Sequence, residues 1–358
     1  MAPQLLPSPT MLRRQFPGYN DTQANLGIIM QETTTAADAS GADSREDWLA
    51  ALDRIGEDAG YFEPLGRKHW AFFVDAGPQL LVTFETLDEI RARAPGQMPL
   101  GHDIAATHGW SHLCLIADGP TWYRDRAVWG YFDRLVDDAF FEDFDRVVFF
   151  GEGQGGYAAC AYSVAAPGAT VLALQPCATL SPAVAGWDGR DRAARRLDWT
   201  SRYGYAPDMV DGATRVWLVF DPLDPPAAIH AALFRKPHVT RLEARHAGAR
   251  LGQVLDQIGA LRPLIDTAVA GVMSPQLFYR LWRARRNSGL WLRNVQSSLS
   301  ASGRQMREAV FVRAVTRRIN APRFRRRLKD LVAALELVGR TMPPERPLND
   351  LPPADPSD

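Results

Sequence analysis

Three short apolar blocks set the architecture. Asp145 to Phe150 reads Asp-Arg-Val-Val-Phe-Phe, β-branched and aromatic residues of the kind a parallel sheet buries on both faces. Thr170 to Leu174 and Thr214 to Phe220 repeat that character, and His238 to Ala244 reads as a further, more polar strand. Gly156 to Ala166 is small, apolar and closed by Pro167-Gly168, which predicts a helix stopped by the proline. Strand, helix and strand follow in β-α-β order. Upstream, Ser44 begins a Ser-x-x-Asp start ahead of Trp48, Leu49, Leu52 and Ile55, predicting an amphipathic helix. His69 to Asp75 and Gln79 to Phe84 are expected to form an antiparallel pair across the Asp75-Ala76-Gly77-Pro78 turn. A helix around His102 to His108, a strand at Ser111 to Ala117 and a helix at Asp125 to Ala139 lead to the central strand. Downstream, Ala227 to Phe234 and Leu251 to Leu261 read as helices.

The central strand runs into Gly151-Glu152-Gly153-Gln154-Gly155-Gly156-Tyr157. A sharp strand-to-helix turn needs glycines flanking its apex, and hydrolases place a nucleophile there as G-x-S-x-G. Here the apex is Gly153, which has no side-chain oxygen. The same glycines would also suit a phosphate cradle at a helix N-terminus. A dinucleotide fold, however, puts that loop after its first strand and needs an acid about 20 residues on. This turn follows earlier strands, and Leu172 to Thr179 contains no acid.

The strand ending at Phe220 opens into Asp221-Pro222-Leu223-Asp224-Pro225-Pro226, and His246 follows the strand after it. Asp224 is the better candidate acid by spacing, and Asp221 the second. Aspartate among prolines also serves as a turn residue bonding its own backbone, and a histidine after a strand is commonly an ordinary loop residue. The chain order of apex, acid and histidine is nevertheless that of the α/β-hydrolases.

From about His69 to Ile265 the chain therefore resembles the α/β-hydrolase fold, nearest to bacterial members with a G-x-S-x-G-G-Tyr elbow and an upstream Trp-Tyr pair, here Trp122-Tyr123. The resemblance implies an α/β protein whose mostly parallel sheet is flanked by helices. It also implies a relic dyad of His246 with Asp224 or Asp221 beside Gly153. Gly153 removes the nucleophile. The chain also resembles uncharacterised bacterial proteins sometimes labelled phosphoadenosine phosphosulfate reductase. That label implies a Ser-Gly-Gly phosphate loop and a reactive cysteine near the C-terminus, whereas Cys114, Cys160 and Cys177 are the three cysteines present.

Composition narrows the class. With 358 residues and 46% hydrophobic content, the chain can bury one large core and an appendage. No apolar run approaches the ~20 residues of a membrane helix, and Met1 to Leu12 lacks a signal-peptide pattern. Three scattered cysteines without C-x-x-C argue against a disulfide framework or a zinc site. No cofactor is expected, and a cytoplasmic location is. Residues 1–42 and 341–358 are expected to be disordered. Residues 43–273 form the hydrolase-like domain, with a lid-like insertion at 181–212 carrying Trp187-Asp188-Gly189-Arg190 and Tyr203-Gly204-Tyr205. That insertion reads as a cap packed by its aromatics, or as one wall of a polar ligand site.

Charge is unevenly spread. Residues 274–340 hold 16 basic against 3 acidic residues, a net of +13, while residues 1–273 carry a net of −10. Apolar residues recur there at helical spacing, predicting a basic helical C-terminal extension. Arg323, Arg325, Arg326 and Arg327 form its densest cluster. They are candidates for an anionic partner, or for a merely solvated face docked on the acidic body. Aromatic interleaving is sparse, which argues against nucleic acid.

The expected function is that of a noncatalytic binding or accessory protein, with a small-molecule ligand in the relic pocket. One alternative is a hydrolase for an ester or glycan-linked acyl group. In it, a water activated by His246 and oriented by Asp224 attacks a carbonyl held by the N–H of Gln154 and an N–H near Glu85 or Thr86. The other is an interaction protein acting through the basic helices.

Overall fold

The computed structural model describes residues 38–93 and 96–344. Helix α1 (Arg45–Ala59) precedes β1 (Gly60–Leu65), β2 (His69–Val74) and β3 (Gln79–Thr86). Then come α2 (Leu87–Arg91), α3 (Leu100–His108), β4 (Ser111–Ala117), α4 (Arg126–Asp137), β5 (Arg146–Glu152), α5 (Gln154–Tyr162) and β6 (Thr170–Leu174). Two short helices, α6 (Pro182–Ala185) and α7 (Ala206–Met209), lie in the insertion ahead of β7 (Arg215–Phe220). Next are α8 (Pro225–Leu233), β8 (Val239–Glu243), α9 (Leu251–Gln257) and α10 (Leu261–Val269). The chain closes with α11 (Pro275–Trp282), α12 (Gly289–Ala301), α13 (Gln305–Arg318) and α14 (Pro322–Leu337).

All eight strands join one sheet in the order β1-β2-β4-β3-β5-β6-β7-β8. β2 runs antiparallel to both its neighbours, and the other strands are mutually parallel. The expected α/β class with a mostly parallel sheet flanked by helices is what forms, and the basic helices follow it in the chain. Because side chains alternate across a strand, Leu80, Val82 and Phe84 pack one face with Phe132 of α4 and Tyr157 and Tyr162 of α5. Leu81, Val148, Phe150 and Leu172 pack the other with α3, α9, α10 and α11.

The predicted β2–β3 hairpin is not formed, because β4 lies between the two strands. Its first residue explains why. The Ser111 hydroxyl accepts from the N–H groups of Ala76 (2.9 Å) and Gly77 (3.0 Å), so the turn wraps around the start of β4. Strand β1 was not predicted. It contains Pro64, which the ladder tolerates at a sheet edge. The single helix expected at Leu251 to Leu261 is two helices, separated at Gly259, whose φ is 67°.

The described ends of the body are packed. Ala39 and Ala42 are buried against α1 and α2, and the Pro343 carbonyl accepts from Arg313 (2.8 Å). The rest of the predicted N-terminal and C-terminal disordered segments lies outside the described residues. In the extension, Leu292, Val312, Val315, Phe324, Leu331 and Leu335 form a small core of their own. Phe278, Trp282 and Leu290 belong to the core of the body instead. No described helix is long and apolar enough to cross a membrane.

Candidate functional site: the elbow cleft

Gly153 sits at the apex between β5 and α5 with φ 57° and ψ −115°. Its N–H donates to the Leu174 carbonyl (2.9 Å), and its carbonyl accepts from Tyr157 (3.0 Å). A residue with a side chain held at such a left-handed angle costs about 1–3 kcal/mol, which glycine avoids. A Cβ placed on Gly153 would meet nothing within 4 Å. The position of a Gly153 side chain is thus open volume and not a filled corner. Gly155 is glycine for another reason: a Cβ there would stand 2.3 Å from the Phe84 carbonyl oxygen.

Two cavities have Gly153 in their lining. The larger, about 350 Å³, includes Thr86, Glu89, Glu152, Gln154 and Arg250 in its lining, and the smaller, about 130 Å³, includes Trp122, Cys177, Arg190, Asp191 and Asp224. Gly153 and Ala249 line both. His246 lines neither.

Asp221 is buried at the end of β7 and accepts from the backbone N–H groups of Leu223 (3.0 Å), His246 (3.1 Å) and Gly248 (2.8 Å). Acid and histidine are therefore adjacent, but the link runs through backbone amides. Among the described residues the His246 ring has no hydrogen bond. It lies edge-on to Trp291 of α12, with centroids 6.3 Å apart. Burial holds its pKa below the ordinary value, against the pull of Asp221. Asn294 of α12 donates to the carbonyls of His246 (3.0 Å) and Ala247 (2.9 Å), tying this turn to the extension. The turn presents Ala249, not His246, to Gly153. Asp224 does reach the smaller cavity, where it faces Arg190 at 3.5 Å, and burial raises its pKa.

Of the candidate oxyanion donors, the Gln154 N–H opens α5 and has no place in the helix ladder. Its side chain is occupied, accepting from the Trp122 N–H (2.9 Å) and donating to the Gly119 carbonyl (3.2 Å). The Thr86 N–H is already donated to Glu89 (3.2 Å). Glu85 points away from the cleft, and its carboxylate accepts from the N–H groups of Leu100 (2.8 Å) and Gly101 (3.1 Å).

Two features go beyond what sequence reasoning assembled. The first is a polar knot of Cys177, His230, Asp188 and Arg190, of which Asp188 and Arg190 belong to the insertion read above as a cap or one wall of a polar ligand site. His230 accepts from the Ala178 N–H at Nδ1 (3.2 Å) and donates from Nε2 to Asp188 (3.0 Å). The Cys177 Sγ lies 3.4 Å from Nε2 and donates to the Thr179 carbonyl (3.2 Å). With both ring nitrogens engaged, the imidazole is no base for the thiol, which burial pushes well above its usual pKa. Burial works against ionisation of Asp188, and its bonds to Arg190 and His230 override it, holding the carboxyl ionised. These residues come from three separate stretches, so no local spacing betrays them.

The second is Glu152, directly before the apex. Its Oε1 accepts from the Gly252 N–H (2.8 Å), and burial raises its pKa to about 7, with Glu89 adding to the effect. The signal was present in the sequence as a carboxylate at the end of a strand buried on both faces.

Glu85, His112 and Cys114 bring potential metal ligands within 4.8 Å of one another. The Glu85 carboxylate is already spanned by two amides, Thr83 (3.1 Å) and Arg93 (3.3 Å), so its own hydrogen bonds account for the cluster. On α14, Arg327 is bound to the buried Glu308 through Nε (2.8 Å) and Nη2 (3.0 Å). Arg323, Arg325 and Arg326 are exposed, with Arg325 bonded to Asn320.

No family model matches the chain, and no curated protein matches it. Solved structures similar to it include the capsule O-acetyltransferase of Neisseria meningitidis serogroup A, at 10% identity over 59% of this chain and 94% of that one, with a TM-score of 0.39. Est1E from Butyrivibrio proteoclasticus is similar at 16% identity over 59% and 99%, with a TM-score of 0.37. An esterase from Pyrobaculum calidifontis is similar at 11% identity over 63% and 87%, with a TM-score of 0.38.

Proposed function

We propose that the protein is a noncatalytic binding protein whose small-molecule ligand lies in the cleft over Gly153. One observation carries this reading: Gly153 turns the chain from β5 into α5 at a positive φ, a side chain there would meet open space, and the residue lines two cavities. The Gln154 N–H at the first turn of α5 supplies a donor for a ligand oxygen. The alternative is hydrolysis by a water activated at His246, whose ring in this structure packs on Trp291 and does not line the cleft.

Ala249 provides the test. It is exposed and lines both cavities, so Ala249→Trp should fold normally while filling the cleft. A small-molecule library screened by ligand-observed NMR should give binders to the wild type that are lost, by tenfold or more in affinity (about 1.4 kcal/mol), in Ala249→Trp. Binders that all survive the substitution would place the ligand elsewhere.

A further inference from the structure

The basic extension gathers charge where no acid answers it. Residues 274–318 hold ten arginines and one acidic residue, Glu308, which is buried and bound by Arg327 of α14 (2.8 Å). Between α11 and α12 the chain makes a 3-10 turn, Arg283–Asn287, in which side chains three residues apart eclipse. Arg283 and Arg286 therefore project from one side of it, and both are exposed. Arg285 is half-buried. Its guanidinium lies 5.6 Å from the Trp282 ring and 5.5 Å from the Trp291 ring, and it donates to the Trp282 carbonyl (2.9 Å). Both rings are themselves fixed: Trp282 belongs to the core of the body, and the Trp291 indole donates to the Arg245 carbonyl (2.8 Å). From the end of α13, Arg318 donates to the Asn287 side chain (3.3 Å). Among the described residues none of these four arginines has an acidic partner, and Glu243 is engaged by Arg245 (3.3 Å). Burial, Arg286 and Arg283 hold the Arg285 pKa below its usual value.

We infer that this cluster is a binding site for a multiply charged phosphate group, received by Arg285 in its fixed plane and by Arg283, Arg286 and Arg318 around it. Like charges crowded at one loop destabilise the unliganded chain, and a bound anion removes that cost. A carboxylate offers a single charge and two oxygens, which one guanidinium fork satisfies. A phosphate group carries a charge of about −2 and three acceptor oxygens, enough for several forks at once. Arg285 is the part of the site prepared in advance, because the indole faces that hold it favour a guanidinium. A free diphosphate and a phosphate monoester headgroup at a lipid surface present this same chemistry. None of the four arginines lines the cavities beside Gly153, so the site is independent of the cleft and of the ligand proposed there.

The experiment is isothermal titration of the full chain with pyrophosphate at low ionic strength, with acetate as the carboxylate control. Pyrophosphate should bind with a Kd below ~1 mM, more weakly as salt is raised, and at least about tenfold more tightly than acetate. Arg286 is exposed, so Arg286→Ala should fold, and its affinity for pyrophosphate should fall about tenfold. Its melting temperature without ligand should rise by about 1–3 °C, because one of the crowded charges is gone. An arginine with a merely structural role would move that temperature down. The double variant Arg283→Glu/Arg286→Glu should not bind pyrophosphate. Pyrophosphate bound no more tightly than acetate, or equally by Arg286→Ala and the wild type, overturns the inference. A melting temperature lowered in Arg286→Ala overturns the uncompensated charge on which it rests. Flotation with phosphatidylcholine vesicles carrying about one phosphatidic acid in five lipids separates the two sources. Capture reversed by pyrophosphate supports a headgroup, and pyrophosphate binding without capture supports a free phosphate. A single-stranded oligonucleotide bound more tightly than pyrophosphate, and lost in the double variant, overturns the multiply charged group in favour of a phosphodiester backbone.

Discussion

Gly155→Ala should destabilise the protein by about 3 kcal/mol or more, and more than Gly153→Ser, although the two glycines stand two residues apart. At Gly155 the new methyl group would sit 2.3 Å from the Phe84 carbonyl oxygen. That oxygen belongs to a central strand and Gly155 to the first turn of α5, so neither partner can yield without separating helix from sheet. At Gly153 there is room for a side chain, and the cost is only that of a left-handed backbone angle, about 1–3 kcal/mol. Calorimetric melting of the two variants checks the order. At roughly 2–4 °C per kcal/mol for a large domain, Gly155→Ala should melt at least ~6 °C below the wild type. Equal melting of Gly155→Ala and wild type would contradict the packing of α5 on β3.

Asp221→Ala should cost about 3–5 kcal/mol. The carboxylate receives three backbone N–H groups, from Leu223, His246 and Gly248, and its removal leaves buried donors without an acceptor. The loss is also local in effect. His246 has φ 63° and Gly248 has φ 68°, so the turn that brings Ala249 to Gly153 is held in an unfavourable shape by this side chain, which takes its N–H groups, together with Asn294 and Gln175 on its carbonyls. Denaturant titration should show the loss of stability. Ligand titration of the folded fraction should show weaker binding. Asp221→Asn retains one acceptor oxygen and should fall between the wild type and the alanine variant. An Asp221→Ala protein as stable as wild type would refute the anchoring role.

Much of this arrangement is legible in the sequence. The apolar blocks at β5, β6 and β7 sit within two residues of where their composition places them, because strands buried on both faces admit little else. The glycine turn from β5 into α5 is legible because a strand-to-helix reversal in so few residues requires small residues at fixed spacing. The β2–β3 arrangement was not, since the Asp75 to Pro78 turn is locally compatible with a hairpin and only the distant Ser111 decides otherwise. Spacing favours Asp224 as the acid and puts Asp221 second, whereas it is Asp221 that bonds the His246 N–H and Asp224 that faces Arg190; nor does spacing say which way the ring turns. That is set by Trp291 and Asn294 in the C-terminal extension, more than 40 residues on. Asp188 and Arg190 were legible as polar residues of the insertion, but their joining with Cys177 and His230 was hidden for the same reason. The four meet only once the insertion folds back over the strand ends. Likewise, the sequence treats the basic cluster on α14 as one surface, whereas buried Glu308 draws Arg327 out of it.

The most direct test of the noncatalytic reading is the hydrolysis of 4-nitrophenyl acetate and butyrate by the purified chain, with His246→Ala in parallel. With no side-chain nucleophile at Gly153 and the His246 ring outside the cleft, the wild type should release nitrophenol at the rate of the matched background, and His246→Ala should be indistinguishable from it. Turnover well above background that disappears in His246→Ala would contradict the account and establish a water-based hydrolase.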